Sequence, residues 1–266
     1  MWTNSSVDAA GPDDKFLMRE QMPVLQTAMA VLSGGPYGVA DIAGTMNRSL
    51  VMRSCRSDGV LLRPSWPATA VDASFVHSFN SLKPLYLWTA HSLVGAHQFS
   101  LVLSINLEEP TTMTVSEICG GGSAVASNVV VFEAWHGLER AGGVRRMRRS
   151  DPFTLPPTPE RSPYIAGHSL WAVAPVLAGN WSFLGEPSKI VKASGRRVER
   201  LSSDGQRLTA RLLLAPREAI TVAVLSPAGE VLRADCVAKG EGAVVAYGDR
   251  DVALALSCEG AYCLCA

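Results

Sequence analysis

Four side chains in the first fifty residues have the types and spacing that chemistry on a polar substrate would use: the adjacent carboxylates Asp13 and Asp14, the carboxylate of Asp41 and the amide of Asn47. Asp41 closes the stretch 37–41, which reads as a short strand, and α/β folds keep their reactive groups at the carboxyl ends of their strands. A carboxylate there accepts hydrogen bonds from substrate hydroxyls. It serves equally well as the cap of a following helix, accepting from free backbone amides. Asp13 and Asp14 stand before an apolar run that starts at Phe16, where acidic groups complement the positive end of a helix. Two carboxylates that act together on one bond must flank it, about 5 Å or more apart. Adjacent residues do not aim at one bond from opposite sides, so neither Asp13 nor Asp14 is assigned as catalytic.

The elements that must position these groups form one α-β-α step. Phe16, Leu17, Val24, Leu25, Ala28, Met29 and Leu32 recur at helical spacing until Gly34-Gly35 stops the run, and Pro23 inside it predicts a kink or a break. Pro36 opens the strand that ends at Asp41. A second helix is expected over 45–56, with Met46, Leu50, Val51 and Cys55 inward. Asp58-Gly59 marks a turn, 60–62 reads as one more short strand, and Pro64 with Pro67 predicts irregular backbone. After Pro84 the texture changes. Short β-like runs at 86–91, 99–106, 111–118, 128–135, 170–177, 208–214, 220–225, 231–237, 243–247 and 252–257 follow one another without helices between them, the pattern of an antiparallel sandwich. The polar stretch 137–163 is expected to be a long loop. The division falls into residues 1–83 and 84–266.

Residues 34–63 resemble the raffinose synthase and alkaline α-galactosidase family. Gly34, Gly35, Pro36, Val39, Asp41, Gly44, Asn47, Asp58, Gly59, Leu62 and Arg63 fall without a gap on the family's Gly-Gly-Pro, Val-x-Asp, Gly, Asn, Asp-Gly and Leu-Arg positions, and Asp72 follows after one deletion. Beyond residue 80 the likeness is one of architecture. The resemblance implies an α+β chain in which 1–83 is the remnant of a (β/α)8 barrel, its last strand and helices, followed by an all-β antiparallel sandwich. It implies a retaining, two-carboxylate reaction on α-galactosyl oligosaccharides, with Asp41 and Asn47 at the sugar pocket and Asp13 and Asp14 near the segment that lines it. Ala40 and Thr45-Met46 stand where the family has Ser and Lys-His. The family's catalytic carboxylates lie on earlier strands, for which the stretch before Asp13 is too short. The chain alone is therefore expected to be inactive, and to be completed by a missing N-terminal barrel part or to associate through 1–83. The alternative is a non-catalytic sandwich that binds carbohydrate or another protein.

Other classes find no support in the residues. Lys and Arg number 24 and Asp and Glu 24, so no net charge draws the chain to nucleic acid. Arg145, Arg146, Arg148 and Arg149 lack interleaved aromatics and read as a solvated loop. No apolar run reaches the ~18 residues of a membrane span, and residues 1–8 have no signal-peptide character. With the six cysteines read as free thiols, a cytoplasmic location is expected. Cys258, Cys263 and Cys265 lack a fourth ligand nearby, the histidines show no paired spacing, and no phosphate loop, dinucleotide fingerprint or Gly-x-Ser-x-Gly elbow occurs. No metal and no cofactor is expected. Trp66, Trp88, Trp135, Trp171 and Trp181 offer faces for sugar but suit core and rim positions better. Arg53 reads as solvent-facing or ion-paired.

Overall fold

The stretch His97–Ile105 is buried at every position between its two ends, which requires cover on both faces of its sheet. The computed structural model of the chain describes residues 2–3, 21–36, 38–39, 41, 44–80, 86–120, 126–159, 166–239, 243–248 and 254–257. Asp13, Asp14, Cys258, Cys263 and Cys265 lie outside them.

The N-terminal elements are β1 (Trp2–Thr3), α1 (Pro23–Leu32), β2 (Gly38–Val39), α2 (Arg48–Val51), β3 (Trp66–Ala70) and α3 (Asp72–Asn80). Then come β4 (Tyr86–Val94), β5 (His97–Ile105), β6 (Thr111–Thr114), α4 (Val115–Cys119), β7 (Asn128–Glu133), β8 (Val144–Arg148), β9 (Pro152–Leu155) and β10 (His168–Pro175). The last are β11 (Ser182–Gly185), β12 (Val198–Ser203), β13 (Leu208–Leu212), β14 (Ala219–Leu225), β15 (Val231–Lys239), β16 (Ala243–Gly248) and β17 (Leu254–Ser257). Among the described residues strands in mainly antiparallel sheets dominate and helices are few, consistent with a β-sandwich.

A six-stranded antiparallel sheet, in the order β3-β4-β5-β10-β7-β8, forms the central layer. Through Phe99, Leu101, Phe132 and Leu170 one face packs against Phe183, Leu184, Leu212 and Val224 of the smaller sheets β11-β14-β15-β16 and β12-β13-β17. Leu25, Ala28, Val31 and Leu32 of α1 enter this same core, so the helix finds its apolar neighbours inside the chain. The other face, with Leu87, Val102, Val131 and Val173, is covered by α4 and the β6-β9 ribbon through Ile118, Phe153 and Leu155. Each fully buried Leu or Phe contributes roughly 1.5–3 kcal/mol.

Several expectations are corrected. Pro67 does not break the strand: β3 is the edge of the sheet, and its pairing with β4 shifts register between Trp66 and Thr69, where a residue without an amide proton costs no ladder bond. The sheet thus reaches back across residue 84 to Trp66. The stretch 137–163 is not one loop, because β8 pairs with β7 and β9 with β6. The arginines of β8 charge the opposite edge of the sheet, which discourages pairing with another chain. Arg146 also reaches the carbonyls of Asn180, Ser226 and Pro227 and so ties the central layer to the second one. The 111–118 run divides at Thr114, whose hydroxyl accepts from Glu117 N (3.2 Å) while Glu117 accepts from Thr114 N (2.6 Å), a capping box that starts α4. Pro23 sits at the start of α1, where its missing amide proton is no loss. The helix expected over 45–56 is the single turn α2. The sheets are not wholly antiparallel, since β13 and β17 pair in parallel. Cys55, Cys119 and Cys236 are buried free thiols. Among the described residues no helix is long and apolar enough to cross a membrane.

Candidate functional site

The segment 34–63 is assembled around the C-terminus of α1. Gly34 takes the left-handed conformation (φ 69°) and donates its amide to Val31 O at 3.2 Å, which satisfies an end carbonyl of the helix. A side chain there would be strained, and its Cβ would meet the Pro67 ring at 3.4 Å. Arg63 Nη1 donates to Gly34 O at 2.8 Å, so the two ends of the motif meet across 29 residues. Next, β2 pairs in parallel with β1, Trp2 opposite Gly38 and Thr3 opposite Val39, with α1 between them in the chain. Asp41 comes two residues after β2 and is half-buried.

Asn47 has a different job. Its Oδ1 accepts from Leu50 N (3.2 Å) and Ser49 Oγ (2.8 Å), which makes it the N-cap of α2. Asp58 and Gly59 (φ 85°) form the expected turn. Arg56 grips Asp58 through Nη2 (2.6 Å) and Nε (3.2 Å). Burial acts to raise this carboxyl, but hydrogen bonds from Arg56 and from Val60 N hold it below its usual value.

What holds the segment in place lies far away in the chain. After β11 the backbone runs as a mostly buried coil over 186–197. Gly185 (φ 86°) at its start permits the close approach of the Lys192 carbonyl, which accepts from Glu186 N at 2.9 Å. From this coil Lys189 Nζ donates to the carbonyls of Met52 (2.7 Å) and Cys55 (2.8 Å), Ile190 N to Arg53 O (3.0 Å), and Ser194 Oγ to Arg63 O (3.0 Å). Glu218 accepts from Ser57 N at 2.9 Å. Arg197, 1% exposed, binds both Glu218 oxygens (2.7 and 2.8 Å), and its Nε lies 2.9 Å from Glu186 Oε2 at an angle poor for a hydrogen bond. For Glu218 burial raises the pKa, but the Arg197 guanidinium more than offsets it and the carboxylate stays ionised. No motif in the sequence points to this network. The only local signal is a set of charges, Glu186, Lys189 and Lys192, spaced through an otherwise small and apolar stretch.

Beside it, Arg53, expected to be solvent-facing or ion-paired, is half-buried and makes no ion pair among the described residues. Its guanidinium carbon lies 5.3 Å from the centre of the Trp135 ring, and Lys192 Nζ lies 5.9 Å from the same point. Of the other tryptophans, Trp171 packs edge-on against Phe153 (5.0 Å) and donates to Ser169 Oγ, and Trp181 is buried. Trp88 stacks with Tyr86 at 5.8 Å, and Trp66 is exposed at the sheet edge beside His91. A second polar group, on the sheet face under α4, joins His91 Nδ1 to Ser100 Oγ (2.9 Å), with Gln98 Nε2 donating to Cys119 O (2.6 Å). Burial pushes the Cys119 thiol up to about 11, which leaves it protonated and unreactive at neutral pH. Among the described residues no three His, Cys, Asp or Glu side chains gather as a metal site. Comparison of the chain with models of known protein families returns no match, and neither does comparison with curated proteins.

Proposed function

We propose that the chain is the C-terminal portion of a raffinose-synthase-like or α-galactosidase-like enzyme that hydrolyses or transfers α-galactosyl units of oligosaccharides. One observation carries this reading: Asp41 lies just beyond the carboxyl end of a strand paired in parallel with β1 around α1, the strand-helix-strand order of a barrel. The resemblance over Gly34–Arg63 and the sandwich joined to it through a shared core support the same reading. In this arrangement the Asp41 carboxylate accepts hydrogen bonds from sugar hydroxyls. Asn47 spends its amide oxygen on the α2 cap and thereby braces the loop after Asp41. The nucleophile and the acid/base belong to upstream strands, so the isolated chain has no turnover. The buried thiols Cys55, Cys119 and Cys236 suit a reducing cytoplasm.

Titration of the chain with raffinose, followed by amide chemical shifts, tests this. Shifts are expected at residues 38–47 in the wild type and are expected to vanish in Asp41→Asn. A second check is the size of the polypeptide in the source cells, where a longer species that cleaves α-galactosides is expected. Absence of both the shifts and the longer active species would remove the reading. The alternative, a non-catalytic binding sandwich, draws on the structural roles of Asn47, Asp58 and Arg63. It predicts saccharide-induced shifts away from Asp41 that Asp41→Asn leaves unchanged.

A further inference from the structure

Three segments bring positive charge and a donor to one tryptophan ring that the galactoside reading leaves without a role. Arg53 comes from the turn after α2, Trp135 from the end of β7, and Lys192 from the buried coil. The guanidinium of Arg53 is half-buried and makes no hydrogen bond or ion pair among the described residues; its contact is the Trp135 face. Lys192 is 4% exposed and uses one of its three ammonium donors, on Pro187 O at 2.7 Å. Trp135 Nε1 is shut off from solvent and has no acceptor among the described residues.

The carboxylates whose charge reaches Lys192 are Glu133 and Glu186, and both are engaged elsewhere. Glu133 accepts from the amides of Trp135 (3.0 Å) and His136 (2.6 Å), while Glu186 faces Arg197 and Lys189. One buried cation, one half-buried cation and an orphaned N–H therefore share one indole, and among the described residues no anion is in contact with either cation. Buried charge is ordinarily paired, and a buried donor without an acceptor costs about 1–3 kcal/mol. The backbone carbonyl of Arg53 is itself pinned by Ile190 N at 3.0 Å, so the groups are held in place before any ligand arrives.

We propose that Arg53, Lys192 and Trp135 form a binding site for a phosphate oxyanion, either the free ion or the phosphoryl group of a sugar phosphate. Arg53 offers its planar fork, Lys192 a point charge and Trp135 a single N–H, the donor set that phosphate oxygens match. The state of Lys192 agrees with this. Burial above all, together with the charge of Arg53 and against the pull of Glu133 and Glu186, brings its ammonium down to about 7, and an anion in contact restores the proton. The site goes beyond the galactoside reading and does not depend on it, since none of its groups is Asp41 or a catalytic carboxylate.

Isothermal titration of the chain with inorganic phosphate and with a hexose 1-phosphate, each against chloride at equal ionic strength, tests the site. Saturable binding is expected. Arg53→Gln and Lys192→Met should each weaken it at least tenfold. Trp135→Phe keeps an aromatic face for Arg53 on a smaller ring and removes the N–H, and a loss of at least about fivefold is expected, the share of one hydrogen bond. Circular dichroism establishes that each variant is folded, and Trp135→Phe is the mildest should the others fail. Tighter binding of the hexose phosphate assigns the ligand to a phosphoryl sugar, and equal or weaker binding to the free ion. No heat beyond the chloride control overturns the proposal, as does binding that persists unchanged in both Arg53→Gln and Lys192→Met.

Discussion

The central sheet and the segment 44–63 are held by opposite means. The sheet is covered on both faces by apolar side chains, and its strands exchange ladder bonds with their neighbours. The segment has one helical turn, and its buried leucines, Leu50 and Leu62, belong to neither apolar cluster. Its place is set by donors from the coil 186–197 that take up the carbonyls of Met52, Arg53, Cys55 and Arg63 one by one. Apolar contacts tolerate repacking, whereas a hydrogen bond to a buried carbonyl specifies one position and penalises every other. Where a motif must be placed within a fraction of an ångström, this chain uses polar contacts.

The comparison breaks most readily at Arg197. Arg197→Ala leaves Glu218 as a buried charge without its cation and Glu186 with Lys189 alone, and a loss of about 3–5 kcal/mol is expected in denaturant unfolding. A loss below 1 kcal/mol would show that the network is not what secures the segment.

Lys192 tests the cost of placing charge in such a network. Its folded pKa near 7 is lower than the ordinary 10.5, so between these values the unfolded chain binds more protons and stability rises with pH. The destabilisation is complete below pH 7 and disappears above 10.5. Lys192→Met should remove this rise and be a few kcal/mol more stable than the wild type at pH 7 without phosphate. Parallel pH profiles for the two proteins would contradict the assignment.

Lys189→Met sharpens the contrast between the two regions. It orphans the carbonyls of Met52 and Cys55 at a cost of roughly 1–3 kcal/mol. Amide exchange of Leu62, which donates to Ser54 O, should accelerate while β5 stays protected. Equal acceleration in β5 would mean that the two regions open as one. The smallest effect is expected at Asn47→Ala, where loss of the α2 cap should cost about 1 kcal/mol in thermal unfolding.

Much of the fold is legible in the residues because it depends on short-range chemistry. The β-like texture after Pro84, the stop at Gly34 and the Asp58-Gly59 turn follow from alternation and from glycines at positive φ. The capping box Thr114-x-x-Glu117 was also present in the residues, but the β-forming run around it concealed the helix start. Other features were beyond local reading. Pro67 is compatible with a strand only because β3 is an edge, and β8 with its arginines is a strand only because β7 lies beside it. Asp41 and Asn47 look alike as polar residues after a strand, yet Asn47 proves to be a helix cap.

By itself, then, the sequence determined which stretches extend, which turn, and where the apolar faces lie, because propensity and periodicity act over a few residues. The partners of its buried charges were decided by the tertiary structure alone. Glu186, Arg197 and Glu218 meet, and Arg53 lies over Trp135 beside Lys192, only after loops separated by many residues have closed. Such contacts reward ordering that the chain must complete first, and no local pattern records it.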